Sequence, residues 1–328
     1  MTGQRQSFHQ QISQNRRRSV LLTVIVAGLL GLLGFGIGYV VGGDVVYGIP
    51  VLVGIVLLTF LVSIATYFSG DGIVLAASQA HEVTEQQAPQ LLNVVRELSM
   101  AAGIPAPRVY LIDDTAPNAF ATGRDPKHAS VAVTTGLLEK LDREELQGVI
   151  GHELSHVRNL DIRFTLLVAV LVGSVALLAD MFLRFSFWGG MSGRSRSRGS
   201  DGGGGAQAII MILVLLLAIL APIAARLVQL AVSREREYLA DASSVEITRN
   251  PYGLERALLK ISEDREVLEV ANRATQHLFI VNPIKAFEAR AQGLFSTHPP
   301  IVERVNRLRV LTGAPPLVAD SAEVADLD

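Results

Sequence analysis

The chain has 328 residues, 49% of them hydrophobic, and its 29 Lys and Arg against 31 Asp and Glu leave a net charge of −2. A mean hydropathy of +0.37 excludes a simple soluble protein, and the length allows one substantial domain together with membrane segments. The lack of a basic patch interleaved with aromatics argues against nucleic-acid binding, and the lack of cysteine excludes disulfides and thiolate metal sites, so any zinc must be held by His, Glu or Asp.

Residues 1–19 are rich in Gln and Arg, lack apolar periodicity and end in Arg16-Arg17-Arg18, so they read as a disordered tail. Residues 20–41 form an uncharged apolar run long enough to cross the hydrocarbon core. The run is longer than the apolar region of a signal peptide, and no small-residue cleavage site follows it. Gly42-Gly43-Asp44 leads into a second apolar run at 49–68, so 20–68 reads as a transmembrane hairpin. Arg5 and Arg16 to Arg18 precede the first span while the short loop after it has no Lys or Arg, which places the N-terminus in the cytoplasm by the positive-inside rule. Gly34, Gly38 and Gly42 recur every four residues and allow close helix approach, either inside the hairpin or between two copies.

Residues 69–160 carry charges, prolines and alternating patterns, and belong in water as the first part of a soluble domain. His81-Glu82, with Glu85 where a second histidine would be needed, reads as an ordinary solvated pair. The spacing of Leu91, Val94, Val95 and Leu98 predicts an amphipathic helix over 85–101, stopped at Gly103-Ile104-Pro105. Strands are predicted at Arg108–Ile112 and Ala129–Thr134, with a turn at 123–127, and the edge of this small sheet could take an extended peptide as an added strand. Asp142 with Glu145 three residues on forms a capping-box pattern that opens the next helix.

That helix carries Gly151-His152-Glu153-Leu154-Ser155-His156. Four residues turn a helix through ~400°, so His152 and His156 lie one above the other and can share a metal ion. Glu153, displaced by ~100°, stands beside such an ion rather than on it, where a carboxylate can take a proton from water. The pattern is the H-E-x-x-H of zinc metalloproteases.

Residues 161–232 read as a second hydrophobic hairpin, with apolar runs at 164–183 and 206–225 joined by a flexible Gly/Ser/Arg loop at 188–205. Arg184, Arg194, Arg196 and Arg198 fall in or beside that loop, yet the parity of four spans puts it outside. A shallow, protein-packed hairpin is therefore the rival to four full crossings. Because the two runs are antiparallel, the segments flanking them meet on one side, bringing Ser233–Asp241 towards the His152 helix. Residues 233–312 read as the second, helical part of the soluble domain and 313–328 as an acidic, solvated tail.

Catalytic zinc takes about three protein ligands and keeps one open position, so the two histidines need a further His, Asp or Glu. Spacing leaves Glu235, Glu237, Asp241, His277 and His298 as candidates, with ordinary pairing among Arg234, Glu235, Arg236 and Glu237 as the alternative for the charged run.

The combination of Asn118-Ala119-Phe120-Ala121-Thr122-Gly123, the His152 motif followed by Asn159 and Asp161, Arg236-Glu237-Tyr238-Leu239-Ala240-Asp241, and Ser296-Thr297-His298-Pro299-Pro300 closely resembles the HtpX-type membrane metalloproteases, kin to the CAAX prenyl proteases. The resemblance covers most of the chain. It implies a mainly α membrane protein: a zincin-like α+β metalloprotease domain with a small β-sheet, joined to about four transmembrane helices. It also implies one Zn2+ per chain, held by His152, His156 and Glu237, with Glu153 as the catalytic base. Asp241 matches an acid that orients a ligand histidine, His298 a catalytic histidine near the transition state, and Asn118 a substrate-binding position at the sheet edge. The implied activity is endopeptidase cleavage of damaged membrane proteins at the cytoplasmic face of the cell's inner membrane, as heat-shock-type quality control. Polypeptides and the lipid bilayer are the implied partners. A protease for prenylated CAAX-like peptides and a non-enzymatic, metal-stabilised scaffold or chaperone are the competing readings.

Overall fold

The structure, a computed structural model, describes residues 8–186, 204–264, 266, 268, 280 and 299–317. The chain divides into two compact units, one containing Phe68–Thr165 and the described residues from Ser233 onward, the other Arg16–Tyr67 and Leu166–Val232.

The described residues of the second are helical but for the bend at Gly43-Asp44, drawing on α1 (Phe8–Gly42), α2 (Val45–Ala77), α6 (Asp161–Phe185) and α7 (Gly204–Thr248). Among the described residues, four stretches are long and apolar enough to cross a membrane: Thr23–Gly42, Val45–Ala77, Asp161–Arg184 and Ile209–Val228. Val26, Leu30, Leu171, Val175 and Ala221 form an internal core, while Leu57, Leu58, Phe60 and Leu61 point outward, an apolar surface that suits lipid rather than water. The glycine stripe is used inside the hairpin. A Cβ at Gly34 would lie 2.5 Å from the Ile55 side chain, at Gly38 2.6 Å from the Tyr47 carbonyl, and at Gly42 2.2 Å from the Tyr47 ring.

Two expectations are corrected here. Residues 8–19 are helical rather than disordered: between Phe8 and Ser19 no Gly or Pro interrupts a run of helix-tolerant Gln and Arg, so the first span's helix extends backwards through them. α2 likewise continues past Phe68 to Ala77. The expected flexible loop lies almost wholly in 187–203, outside the described residues.

The other unit holds a four-stranded sheet in the order β1-β2-β4-β3, built from β1 (His81–Glu82), β2 (Arg108–Ile112), β3 (Ala119–Gly123) and β4 (Ala129–Thr134). The turn at 123–127 joins β3 to β4 antiparallel, Ala121 opposite Val131, whereas β2 pairs with β4 in parallel, Val109 opposite Val131. His81 and Glu82 are exposed, although their backbone belongs to β1. α3 (Pro89–Ala102) begins four residues later than its periodicity suggests, because Pro89 is preset for a first helical position, and it ends at Gly103 with φ 69°. Its expected apolar face, Leu91, Val94, Val95 and Leu98, is buried.

α4 (Thr135–Lys140), α5 (Arg143–Arg158), α8 (Pro251–Glu263) and α9 (Ile301–Thr312) also belong to the described part of this unit. One core joins Leu91 and Val94 of α3, Val131 and Val133 of β4, Val149 and Leu154 of α5, Leu254 of α8 and Leu308 of α9. α5 is central to it. The start of the expected tail is not solvated: Leu317 is buried, and its backbone N–H donates to Asn306 Oδ1 at 2.7 Å. A mainly helical chain with four apolar spans and a small mixed sheet is the architecture expected from sequence.

Candidate metal centre

The His152 helix is fixed at its start and along its length. Asp142 Oδ1 accepts the Glu145 N–H at 2.9 Å and Glu145 Oε2 accepts the Asp142 N–H at 2.9 Å, closing the capping box. Further along, α5 meets its neighbours through glycine. A Cβ at Gly148 would lie 2.4 Å from the Leu254 backbone nitrogen, and one at Gly253 would lie 2.4 Å from the Glu144 carbonyl, so α5 and α8 touch backbone to backbone. A Gly148→Ala chain is expected to lose about 1–3 kcal/mol of stability, as overpacked sites do. The check is the metal-free thermal midpoint, with Gly72→Ala, whose Cβ meets nothing within 4 Å, as the control that should not fall.

α7 docks on the same helix as well. A Cβ at Gly151 would lie 2.8 Å from Ser244 Oγ, and that hydroxyl donates to the Gly148 carbonyl at 2.7 Å. Ser244 is about two helical turns beyond Glu237, so this contact sets the register of Glu237 against the histidines. Glu237 Oε2 lies 3.5 Å from His152 Nε2 and Oε1 3.4 Å from His156 Nε2. The two Nε2 atoms are 3.2 Å apart, and one ligand atom from each of the three residues falls within 4.8 Å of the others.

Each histidine has a carboxylate behind it. His152 Nδ1 is 2.9 Å from Asp241 Oδ1, and His156 Nδ1 is 3.2 Å from Asp161 Oδ2. Asp241 is gripped in turn by Arg304, whose Nη2 and Nε lie 2.7 and 2.9 Å from its two oxygens. Arg304 is completely buried, and its Nη1 donates to the Ile280 carbonyl at 2.9 Å. Asp161 reaches back to a histidine only five residues earlier because Leu160, with φ 61°, takes the left-handed turn that separates α5 from α6.

These contacts decide whether the donor set suits a metal. With both Nδ1–H groups donating to carboxylates, both Nε2 atoms present lone pairs, and they face each other and the oxygens of Glu237. Acceptors this close need a cation among them, and two imidazoles with one carboxylate are the donors zinc takes. Protons are the other possible occupant. Burial would lower both imidazoles, but hydrogen bonds donated to Asp241 and Glu237 hold His152 above its usual range, and those donated to Asp161 and Glu237 hold His156 well above it.

A pH dependence follows. Stability from imidazoles with raised values is fully present below the unfolded value of about 6.5 and is lost as pH rises through the folded values. Glu153, also raised, acts in the same direction. The thermal midpoint of the metal-free chain is therefore expected to fall as pH rises from about 6.5, and the metal-loaded chain, with the protons already displaced, should resist that fall. A metal-free midpoint that rises over this range would contradict it.

Glu153 lies beside the three converging residues, almost wholly buried. Burial pushes its carboxyl up, opposed by His152 and His156 and by a hydrogen bond from the Ala121 backbone. Ala121 is on β3, an outer strand of the sheet among the described residues. The Asn118 carbonyl accepts the Thr134 N–H at 3.0 Å, which puts Asn118, Phe120 and Thr122 in the paired set and turns Ala119, Ala121 and Gly123 outward. The Ala119 carbonyl accepts the Ile280 N–H at 2.9 Å. Asn118 is buried just before β3, with its Oδ1 accepting the Ala119 N–H at 3.1 Å.

His152, Glu153, His156, Glu237 and Asp241 are thus brought together. Glu235 is exposed and outside the cluster, and His277 and His298 lie outside the described residues. Arg304 escapes sequence reading, although it stands four residues before buried Leu308 and so shares the apolar face of α9, an odd place for an unpaired arginine. Arg236 and the partnership of Asp161 with His156 escape it as well.

Comparison with known proteins bears on this arrangement. The profile of "Peptidase family M48" matches residues 85–312. A "Protease HtpX homolog" of Ligilactobacillus salivarius (strain UCC118) is 45% identical over 303 residues, covering 92% of this chain and 99% of that protein. One from Streptococcus thermophilus (strain CNRZ 1066) is 47% identical over 299 residues, covering 91% and 98%. Among solved structures, "Crystal Structure of S. mikatae Ste24p" aligns with a TM-score of 0.48 at 19% identity, covering 91% of this chain and 66% of that one. The chain belongs to peptidase family M48 and is a membrane metalloprotease, a hydrolase of peptide bonds.

Proposed function

We propose that the chain is a zinc endopeptidase that cleaves misfolded or damaged membrane proteins at the cytoplasmic face of the inner membrane. The observation that carries this reading is the convergence of His152, His156 and Glu237 with buried Glu153 beside them. His152, His156 and Glu237 would hold one Zn2+, and Asp241 would orient His152. When bound, zinc supplies Lewis acidity to water and to the scissile carbonyl.

The remaining steps belong to the chain's own groups. An extended peptide lies along the outer edge of β3 near Asn118, which stands at the head of that strand. Glu153 accepts the proton of the attacking water and passes it to the leaving amine, a task suited to a buried carboxyl that burial makes a stronger base. His298, in the Ser296–Pro300 motif, stabilises the negative charge developing on the carbonyl oxygen.

The cytoplasmic orientation is supported by the arginines before the first span and their absence from the loop after it. Cleavage at the membrane face is supported by sequence proximity: Asp161, five residues after His156, begins one apolar span, and Glu237 follows another that ends at Val228. A topology reporter inserted within residues 202–205 is expected to be active outside the cytoplasm, and cytoplasmic activity would overturn four full crossings. The functional test is cleavage of a destabilised membrane protein by the purified chain in liposomes. Chelator should abolish cleavage and one equivalent of Zn2+ should restore it, while a well-folded version of the same substrate should survive. No cleavage by the zinc-loaded chain would refute the reading.

A further inference from the structure

The run Arg234–Glu237 looks in sequence like charges pairing along one helix, yet Arg236 is buried and reaches to the start of α6. Its Nη1 donates to the Asp161 carbonyl at 3.0 Å and lies 3.5 Å from Asp161 Oδ1, and its guanidinium sits 4.7 Å from the centre of the Phe164 ring. Asp161 Oδ2 is at His156 Nδ1, and His156 Nε2 is 3.4 Å from Glu237 Oε1. The contacts therefore close a ring, His156 to Asp161 to Arg236 and, through one peptide bond, to Glu237 and back to His156.

We infer that Asp161 and Arg236 are positioning residues for the metal centre. Asp161 fixes the tautomer and orientation of His156, and Arg236 holds Asp161 by carboxylate and carbonyl together. Because Arg236 adjoins Glu237, the same grip sets the third ligand against the second before any metal arrives. The ring parallels the chain from His152 through Asp241 to Arg304, so each histidine is backed by a carboxylate that a buried arginine holds. Arg236 has no need to touch zinc or peptide to do this.

The inference rests on the zinc reading, and its test separates the two. The full-length chain in detergent is stripped of metal and titrated with Zn2+ against a chelating indicator. If the wild type takes up no zinc, the zinc reading itself fails. If it does, Asp161→Asn and Arg236→Gln are each expected to bind zinc about 10–100-fold more weakly. Arg236→Lys, which keeps the charge without the planar fork, should not restore binding. In a His156→Gln background, Asp161→Asn should weaken zinc binding no further, because its effect passes through that ring. Wild-type affinity in either single variant, or an undiminished Asp161→Asn effect without His156, would overturn the inference. Should Asp161→Asn fail to fold, the Arg236→Lys titration decides by the same criterion.

Discussion

A Glu153→Gln chain is expected to bind zinc as the wild type does and to lose about 10²–10⁴-fold of its peptide hydrolysis, the usual worth of a positioned acid–base group. Gln is nearly the same size as Glu, and an amide can still accept the Ala121 N–H that Glu153 takes. What the amide cannot do is accept and return a proton. The three residues proposed as ligands are untouched, so metal content should stay at one per chain while turnover of a peptide substrate collapses. The wild type should lose activity as pH falls through the titration of the Glu153 carboxyl, because a protonated carboxyl cannot act as the base. The residual activity of the variant should lack that limb. Retained cleavage by metal-loaded Glu153→Gln would remove Glu153 as the base. Lost metal would instead show that its carboxylate supports the ligands.

Features written in a few neighbouring residues were legible in the sequence. The capping box at Asp142, the paired histidines of α5, the apolar face of α3 and the four spans each follow from spacing within one element, and the structure contains them. Ends of elements were less legible. The helix reaching back to Phe8 and the one reaching on to Ala77 pass through polar residues that composition assigns to water, because helix propagation extends beyond the apolar stretch that starts it. Least legible were contacts between elements distant in sequence. β2 pairs in parallel with β4 across β3, an order no local turn signal encodes. Gly148 and Gly253 look like ordinary helix glycines until their backbones are seen in contact. Glu237 could be singled out only through resemblance. Of the arginines behind Asp161 and Asp241, only Arg304 carries a signal, its place on the apolar face of α9, since an arginine on a helix is usually solvated and its burial depends on where its carboxylate lies.

Replacing Arg304 with Met should be among the most damaging single changes in the soluble part of the chain. The side chain is completely buried, and its guanidinium meets both oxygens of Asp241 as well as the Ile280 carbonyl. Arg304 also holds the buried Asp241 carboxyl below its usual range against the upward pull of burial. Removing one partner of a buried ion pair typically costs about 3–5 kcal/mol, because the charge left behind is neither solvated nor paired. The metal-free thermal midpoint of Arg304→Met should fall accordingly, and zinc binding should weaken with it as Asp241 loses its hold on His152 Nδ1. Lys is not expected to substitute, since a single ammonium cannot bridge two carboxylate oxygens and a carbonyl at once. The double variant Asp241→Asn with Arg304→Met separates the two consequences. With no charge left unpaired, most of the lost stability should return, whereas zinc affinity should stay low because an amide is a poorer acceptor for the His152 ring. If stability and zinc affinity recovered together, Arg304 would serve only the fold. If affinity alone stayed depressed, the buried arginine would be acting through Asp241 to aim His152 at the metal.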